Sequence, residues 1–359
     1  MPQRKTSPKS SFRPDSTSKK VIPGPKKTRL IDHFETEHLE GLSSYVQKEV
    51  LKLPTAKLLS KSETALSFSF SDDIKLLQRL DTVTAVYAVL NIAVPRPRGL
   101  LGQEHQQRLE KAFETICKQQ SFKSFRLSAA GKDSQVFERI KTAFRDVSGL
   151  SYDDEGELLI RIRPFEGAWQ VLMRLSPRPL SARLWRKCNV PGGLNATLAA
   201  AMVRASGAKA GQRLFNPMCG SATLAIEAKH YEPLLDISAC DFDEKMLACA
   251  QENIFASGHE IKLSQADALG FEADPFDIIL VNPPWGDATG DNAQNHLLYP
   301  KLLSAMRRLS HPQTRLILLS HEIKLMEKLL AESKLWRSVG VERVFHGGHY
   351  PRMWGLEPQ

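Results

Sequence analysis

Phe276-Asp277-Ile278-Ile279-Leu280-Val281-Asn282-Pro283-Pro284-Trp285-Gly286 decides how the second half of this chain is read. Five apolar residues run up to a stop at Asn-Pro-Pro-Trp. A short apolar run bounded by turn formers is a strand buried on both faces of a parallel sheet. Its polar residues then sit at the strand's carboxyl end, where open α/β sheets bind ligands. Two prolines fix φ and offer no N–H, so the Asn282 side chain and the Pro283 carbonyl stand in a stiff turn as acceptors. An exocyclic amine on a nucleobase is a poor nucleophile, because its lone pair is delocalised into the ring. Two acceptors aimed at its N–H groups would hold it in line with an electrophile, and Trp285 would stack on the base. The same tetrapeptide also reads as an ordinary strand-ending turn with a core tryptophan. What precedes it discriminates.

From Pro191-Gly192-Gly193 onward, strands alternate with helices, the pattern of a doubly wound parallel sheet. Four consecutive strand ends carry ligand-suited polar groups. The first ends at Asn216-Pro217-Met218-Cys219-Gly220-Ser221-Ala222-Thr223, a turn opening a helix, whose N–H groups would hold a carboxylate or phosphate. It has neither dinucleotide-fingerprint spacing nor a Walker lysine. The second ends at Asp241-Phe242-Asp243, where Asp241 would accept the hydroxyls of a ribose and Asp243 reads as a helix N-cap. The third ends at Asp267, within reach of an adenine amine. Asn-Pro-Pro-Trp is the fourth.

Residues 30 to 94 read as βαββαβ, a ferredoxin-like half. After the joint Pro95 to Gly99 come a helix, a strand, a second helix and a hairpin ending at Leu175. No phosphate loop, metal pair or Ser/His/Asp set is found in residues 30 to 175. The bases around Arg126 read either as a solvated helical face or as an RNA-facing patch. Arg174, Arg178, Arg183, Arg186 and Lys187 follow one another with no acid between them, and this stiff joint reads as a phosphate-contacting strap or a plain linker.

The net charge is +9 from 49 basic and 40 acidic side chains. Residues 1–29 hold nine of the bases and one acid, a net of +8, which leaves +1 for the remainder. The tail is expected to be disordered, adding at most salt-sensitive affinity for phosphates. The apolar runs are too short for a membrane span, and the start shows no secretory signal. Five cysteines without a Cys-x-x-Cys pair predict a cytoplasmic protein with no structural disulfide and no zinc. His346-Gly347-Gly348-His349 lacks a third ligand at metal spacing and reads as a glycine-rich turn between the last two strands.

Together these strand ends resemble those of class I S-adenosylmethionine-dependent methyltransferases. Asn216 to Thr223 with Asn282 to Gly286 looks like the branch of RNA guanine-N2 methyltransferases that carry a THUMP domain. Gly41-Leu42 with Lys48-Glu49-Val50 looks like that family's opening helix, and Phe125-Arg126-Leu127 through Phe137-Glu138-Arg139-Ile140 looks like THUMP. The resemblance covers residues 30 to 356. It implies an α/β class I methyltransferase domain, Rossmann-like with a mostly parallel sheet, at 193–359. A basic linker at 176–192 would join it to a THUMP domain at 99–175 and an α+β ferredoxin-like domain at 30–98. It implies S-adenosyl-L-methionine as cofactor, with Asn216, Pro217, Cys219, Gly220, Ser221 and Ala222 around its methionine part, Asp241 at the ribose, Asp267 with Ala268 at the adenine, and Phe242 as a further cofactor contact. Asn282, Pro283, Pro284 and Trp285 would hold the target base. Arg126, Arg178, Arg183, Arg186 and Lys187 would contact an RNA, either tRNA or rRNA. No metal, no membrane and a monomer are expected.

Asn216 and Ala222 stand where the family's first motif usually has Asp and Gly, and Trp285 where its fourth has Tyr or Phe. The methyl of Ala222 is expected to crowd a close backbone approach to the ligand if φ there is positive. Two other readings remain open. One is an adenine-N6 methyltransferase, which faces the same planar-amine problem; the other is a non-catalytic RNA-binding scaffold with a degenerate methyltransferase domain.

Overall fold

The computed structural model describes residues 31–285 and 292–359. The basic tail, residues 1–29, and Gly286 lie outside the described residues.

Eight strands of the N-terminal half form one sheet in the order β2-β3-β1-β4-β8-β7-β5-β6. They are β1 (His33–Glu37), β2 (Lys57–Lys61), β3 (Ala65–Ser69), β4 (Ala85–Ile92), β5 (Ser124–Ser128), β6 (Ser151–Tyr152), β7 (Leu158–Phe165) and β8 (Ala168–Arg174). The helices α1 (Ser43–Val50), α2 (Gln103–Gln119) and α3 (Gln135–Ser148) accompany them. The βαββαβ order expected for the first unit is present, with its second helix formed as a 3-10 turn at Ile74–Arg79. Asp73 caps that turn by accepting from Lys75 N–H. Strand β4 pairs antiparallel with β8 from Tyr87↔Arg174 to Ile92↔Trp169, so residues before and after the Pro95 to Gly99 joint share a single sheet.

The second sheet runs β11-β10-β9-β12-β13-β15-β14. Its strands are β9 (Arg213–Asn216), β10 (Asp236–Asp241), β11 (Lys262–Gln265), β12 (Phe276–Val281), β13 (Ser310–Ser320), β14 (Trp336–Arg343) and β15 (Arg352–Pro358). Between them lie α4 (Ala196–Ser206), α5 (Thr223–Tyr231), α6 (Glu244–Ser257), α7 (Asn292–Arg308) and α8 (Ile323–Glu332). The strands β9 to β13 pair parallel, and β15 is antiparallel to both its neighbours. Strand β12 is buried along Ile278, Ile279, Leu280 and Val281, as its continuous apolar run requires. The chain winds outward from β9 through β10 to β11, then returns to the other side of β9 with β12. That reversal opens a crevice at the carboxyl ends of β9 and β12.

One apolar cluster runs from Phe34 in the first half to Met353 in the second, so the halves share a core. Around it a charged seam closes. Arg204 of α4 reaches Glu49 at 2.6 Å and Asp81 at 3.0 Å, and His230 of α5 meets Asp81 at 3.4 Å. Among the described residues no helix is long and apolar enough to cross a membrane.

Candidate active site

The crevice is a cavity of about 1000 Å³ lined by the ends of β9, β10 and β12, by Val190 to Leu194, by the turn of His346 to His349, and by Asp267, Leu298 and His321. Part of its wall is the turn after β9. Asn216 is buried, and its amide donates to the carbonyls of Leu280 (2.9 Å) and Pro217 (3.3 Å). An aspartate would set a carboxylate against those carbonyls, so the amide suits this position. Its Oδ1 is buried without a partner. Beyond it Met218, Gly220 and Ala222 all adopt positive φ, at 51°, 53° and 61°. The turn therefore coils back on itself: Cys219 N–H donates to the Cys240 carbonyl, Gly220 N–H to Asp241 Oδ2 (2.9 Å), and Ala222 N–H to the Cys219 carbonyl. The open anion cradle expected from these N–H groups is corrected accordingly, because three of them are already bonded.

The methyl of Ala222 does not face the cavity. It is fully buried in the core, and the left-handed conformation is accommodated at the N-cap of α5. Pro217 and Ala268 likewise stand behind the wall, whereas Asn216, Cys219, Gly220, Ser221, Asp241, Phe242 and Asp267 line it. Burial pushes the Cys219 thiol well up, which removes it as a nucleophile.

Asp241 is buried at the end of β10. Its two oxygens each accept one backbone N–H, from Gly220 and, at 3.1 Å, from Asp243. A carboxylate offers about four acceptor sites, so lone pairs remain for a diol. Asp243 caps α6 through Lys245 N–H, as its position predicts. Phe242 is 70% exposed beside it, an apolar plate at the mouth. Asp267 is exposed and accepts from Leu269 N–H. S-adenosyl-L-methionine fits these residues: a buried carboxylate for hydroxyls, an apolar plate, and the orphaned Asn216 acceptor.

On the neighbouring strand end, after β12, stands the Asn282 turn, which also lines the cavity. Asn282 Oδ1 is buried and has no hydrogen-bond partner. A buried amide oxygen left bare costs free energy that a bound donor would recover. Behind it Tyr299, fully buried, donates to the Pro284 carbonyl at 3.4 Å and lies 2.8 Å from Ser320 Oγ. Trp285 packs edge-on to His346 (5.6 Å between ring centroids) and tilted against His321 (6.3 Å), and His321 meets His349 at 4.9 Å. Burial, then the neighbouring His349 and Arg186, lower the pKa of His346, so its ring is neutral near pH 7.

These three histidines line the cavity; the sequence showed His346 and His349 only as part of a turn and gave no role to His321. His346 to His349 does form the expected glycine-rich turn between the last two strands. Because β15 is antiparallel to both β13 and β14, however, β14 runs in the direction of β12. Its turn is thus carried to the carboxyl edge of the sheet. His321 directly follows β13 and arrives there too; its position after a parallel strand was the available signal. Among the described residues no group of three or more His, Cys, Asp or Glu side chains is placed to hold a metal ion.

The basic joint differs from a free strap. Arg183 is a buried strut: its guanidinium is bidentate to Glu227 (2.8 and 2.9 Å) and also reaches the Asp81 and Leu180 carbonyls. Arg186 donates to the Leu194 carbonyl and Thr223 Oγ1, and Arg126 to the Gly156 carbonyl at 3.1 Å. The expectation that Arg183 contacts RNA is corrected, since its donors are committed internally, whereas Arg186 braces the joint through Nη2 alone and its Nε is buried without a partner. Arg178 and Lys187 are exposed.

A second correction concerns cysteine. Cys188 and Cys249 form a disulfide across 61 residues, with Cα atoms 5.4 Å apart. A Cys-x-x-Cys search sees only neighbours, whereas α6 carries Cys249 back onto the joint. Asn253, one turn further along α6, accepts from Lys187 and Cys188 N–H and donates to the Cys188 and Ser221 carbonyls. Joint, first turn and α6 are stitched together there. The stretch Val190 to Leu194 forms a wall of the cavity as a result.

Residues 183–352 match the family model described as UPF0020, RMKL-like, methyltransferase domain. Among characterised proteins the chain is similar to a tRNA (guanine(6)-N2)-methyltransferase of Thermus thermophilus, 35% identical over 189 residues. That match covers 52% of this chain and 56% of the relative, so it spans little more than half of that protein. A protein of the same name from Methanocaldococcus jannaschii is 24% identical over 321 residues, covering 74% of this chain and 84% of the other. In fold, the chain resembles TrmN from Thermus thermophilus with a TM-score of 0.74 at 24% identity, over 91% of this chain and 99% of that one.

Proposed function

We propose, from the match of residues 183–352 to the UPF0020, RMKL-like, methyltransferase domain model, that the protein is an S-adenosyl-L-methionine-dependent RNA methyltransferase acting on the exocyclic N2 amine of a guanosine in tRNA. The observation that carries this reading is the bare, buried Asn282 Oδ1 in the same cavity that Asp241 lines. An acceptor without a donor, beside an aromatic ring, suits a planar amine on a stacked base. The relatives named for guanine-N2 methylation of tRNA supply the choice of base and of RNA, and the position in their names makes guanosine 6 the first to test.

S-Adenosyl-L-methionine brings a methyl group on a sulfonium that leaves as a neutral thioether. The chain's own work is alignment. Asp241 orients the hydroxyls, and Trp285 with the histidine turn bounds the base. Asn282 Oδ1 accepts from the exocyclic N–H and favours the positive charge that develops on nitrogen during in-line attack. The proton released from that nitrogen passes to water. No covalent enzyme intermediate forms, in keeping with the high thiol pKa of Cys219.

In this reading residues 99–175 act as a THUMP domain and, with residues 30–98, hold the RNA, with Arg178 and Lys187 as exposed phosphate contacts. The protein works as a metal-independent monomer in the cytoplasm. The test is methyl transfer from labelled cofactor to separated tRNA, rRNA and DNA, followed by mass spectrometry of nucleosides. N2-methylguanosine in tRNA is the expected product. N6-methyladenosine would transfer the assignment to adenine, and cofactor or RNA binding without any product would make the protein a scaffold.

A further inference from the structure

We propose that Glu40, on the loop after β1, is a positioning residue: it holds the His346–His349 turn against Trp285, so the N-terminal half shapes the target-base end of the cavity. This rests on the function proposed above.

The tip of the turn is Gly347-Gly348, with φ of 59° and 85°, and it offers no side chain for anchorage. Its internal closure is the reciprocal pair between the backbones of His346 and His349, both at 3.0 Å. Below that pair Val344 N–H donates to the Pro351 carbonyl at 3.1 Å, and both flanks of this short stem also run to Glu40. Arg343 Nη1 donates to Glu40 Oε1 at 2.7 Å, and Tyr350 Oη donates to Oε2 at 2.8 Å. The Phe345 N–H donates to the Glu40 carbonyl at 2.9 Å. The Arg343 guanidinium also lies over the Tyr350 ring, 3.6 Å from its centroid, so one carboxylate gathers both stems of the turn into a stack.

The next residue shows how close the approach is. Gly41 sits at φ +90°, and a Cβ there would overlap the Arg343 carbonyl and come within 2.8 Å of Val344 Cα. One turn into α1, Tyr45 Oη donates to Glu342 at 2.8 Å. Contact thus continues along residues 342 to 345, immediately before the histidine that meets Trp285. Among the described residues, ring packing with Trp285 links this turn to the Asn282 segment. A shift of the stem is then passed to the tryptophan expected to carry the base. A misplacement of about 1 Å at such a wall costs on the order of 100-fold in rate while leaving distant binding groups alone.

The test uses the full chain with Glu40→Ala, His346→Ala and the double variant, each assayed for kcat and KM on tRNA and for cofactor Kd by titration calorimetry. Glu40→Ala is expected to lower kcat by roughly tenfold to 100-fold with cofactor Kd within about twofold. The double variant should be no slower than the slower single variant, because both changes act on one unit. Glu40→Gln, which retains an acceptor, should recover part of the loss. Wild-type kcat in Glu40→Ala, or losses that multiply in the double variant, would overturn the proposal. Should Glu40→Ala fail to fold, Tyr350→Phe replaces it with the same non-additivity expected. Hydrogen exchange gives a readout without substrate: amides of residues 345 to 349 should exchange faster in Glu40→Ala while those of Cys219 to Ala222 hold their rate, and equal protection at 345 to 349 would refute it. Absence of any methyl transfer by the wild-type protein would instead count against the function, leaving the exchange result to decide the role of Glu40.

Discussion

Around Asp241 the turn after β9 is anchored by bonds that close within the second half of the chain: Gly220 to Asp241, Asn216 to Leu280, Ser221 to Asn253. Around Asn282, Trp285 leans on a turn whose stems are held by Glu40, 303 and 310 residues away in sequence. The first arrangement is self-contained, and the second exists only while the two halves are docked. Cofactor affinity and turnover should therefore fail separately.

The sharpest way to break that contrast is to loosen the seam. Arg183→Ala leaves Glu227 buried and unpaired, and losing one partner of such a pair costs about 3–5 kcal/mol. A denaturant melt of the variant should show a loss of that order; an unchanged midpoint would mean the halves are held by their shared core alone. Asn282→Ala acts on one arrangement only. It should cut kcat by roughly 100- to 1000-fold and leave cofactor affinity within a few-fold in calorimetry, and a parallel loss of affinity would merge the two arrangements. Asp241→Ala should do the opposite. Removing hydrogen bonds to a charged acceptor, at about 1.5–3 kcal/mol, should raise the cofactor Kd by about one to two orders of magnitude while saturating cofactor restores turnover.

The smallest effect concerns pH. His230 has its pKa raised, first by its hydrogen bond to Asp81. Burial pushes Asp81 up, but His230, Arg204 and Arg183 together hold it below its ordinary value. The histidine's contribution is complete below its unfolded value of 6.5 and fades as pH rises through the raised folded value. The carboxylate's contribution is present above 3.8 and fades as pH falls through the depressed one. With the histidine half exposed, solvent screening limits the pair to less than about 1 kcal/mol. The stability difference between wild type and His230→Ala should thus shrink between pH 6 and pH 8, and growth over that interval would reverse the assignment.

The same contrast explains what could be read in the sequence. Strand β12 and its Asn-Pro-Pro-Trp turn, the loop after β9 and Asp241 were legible as strand ends lining one cavity because each is a local run of residues. The closed hydrogen bonding of the loop after β9 was not. The parallel core and the βαββαβ opening followed from periodicity. The histidine turn was legible as a turn but not as a cavity wall, since that depends on β14 lying parallel to β12 across a hairpin. Arg183 looked like a phosphate contact because its neighbours in sequence are basic; Glu227, 44 residues on, takes its charge. Cys188 and Cys249 escaped for the same reason. Ala222 was a departure whose cost depended on which way its Cβ faced, and that is a property of the packed core.

The β4–β8 ladder bears on how this protein can be divided in the laboratory. A fragment ending near Pro97 would expose the full hydrogen-bonding edge of β4, an eight-residue strand buried at seven of its positions. A fragment starting there would leave β8 equally bare. Unpaired apolar edges recruit other edges, so either piece expressed alone should self-associate, whereas a cut near Leu175 would leave this sheet whole.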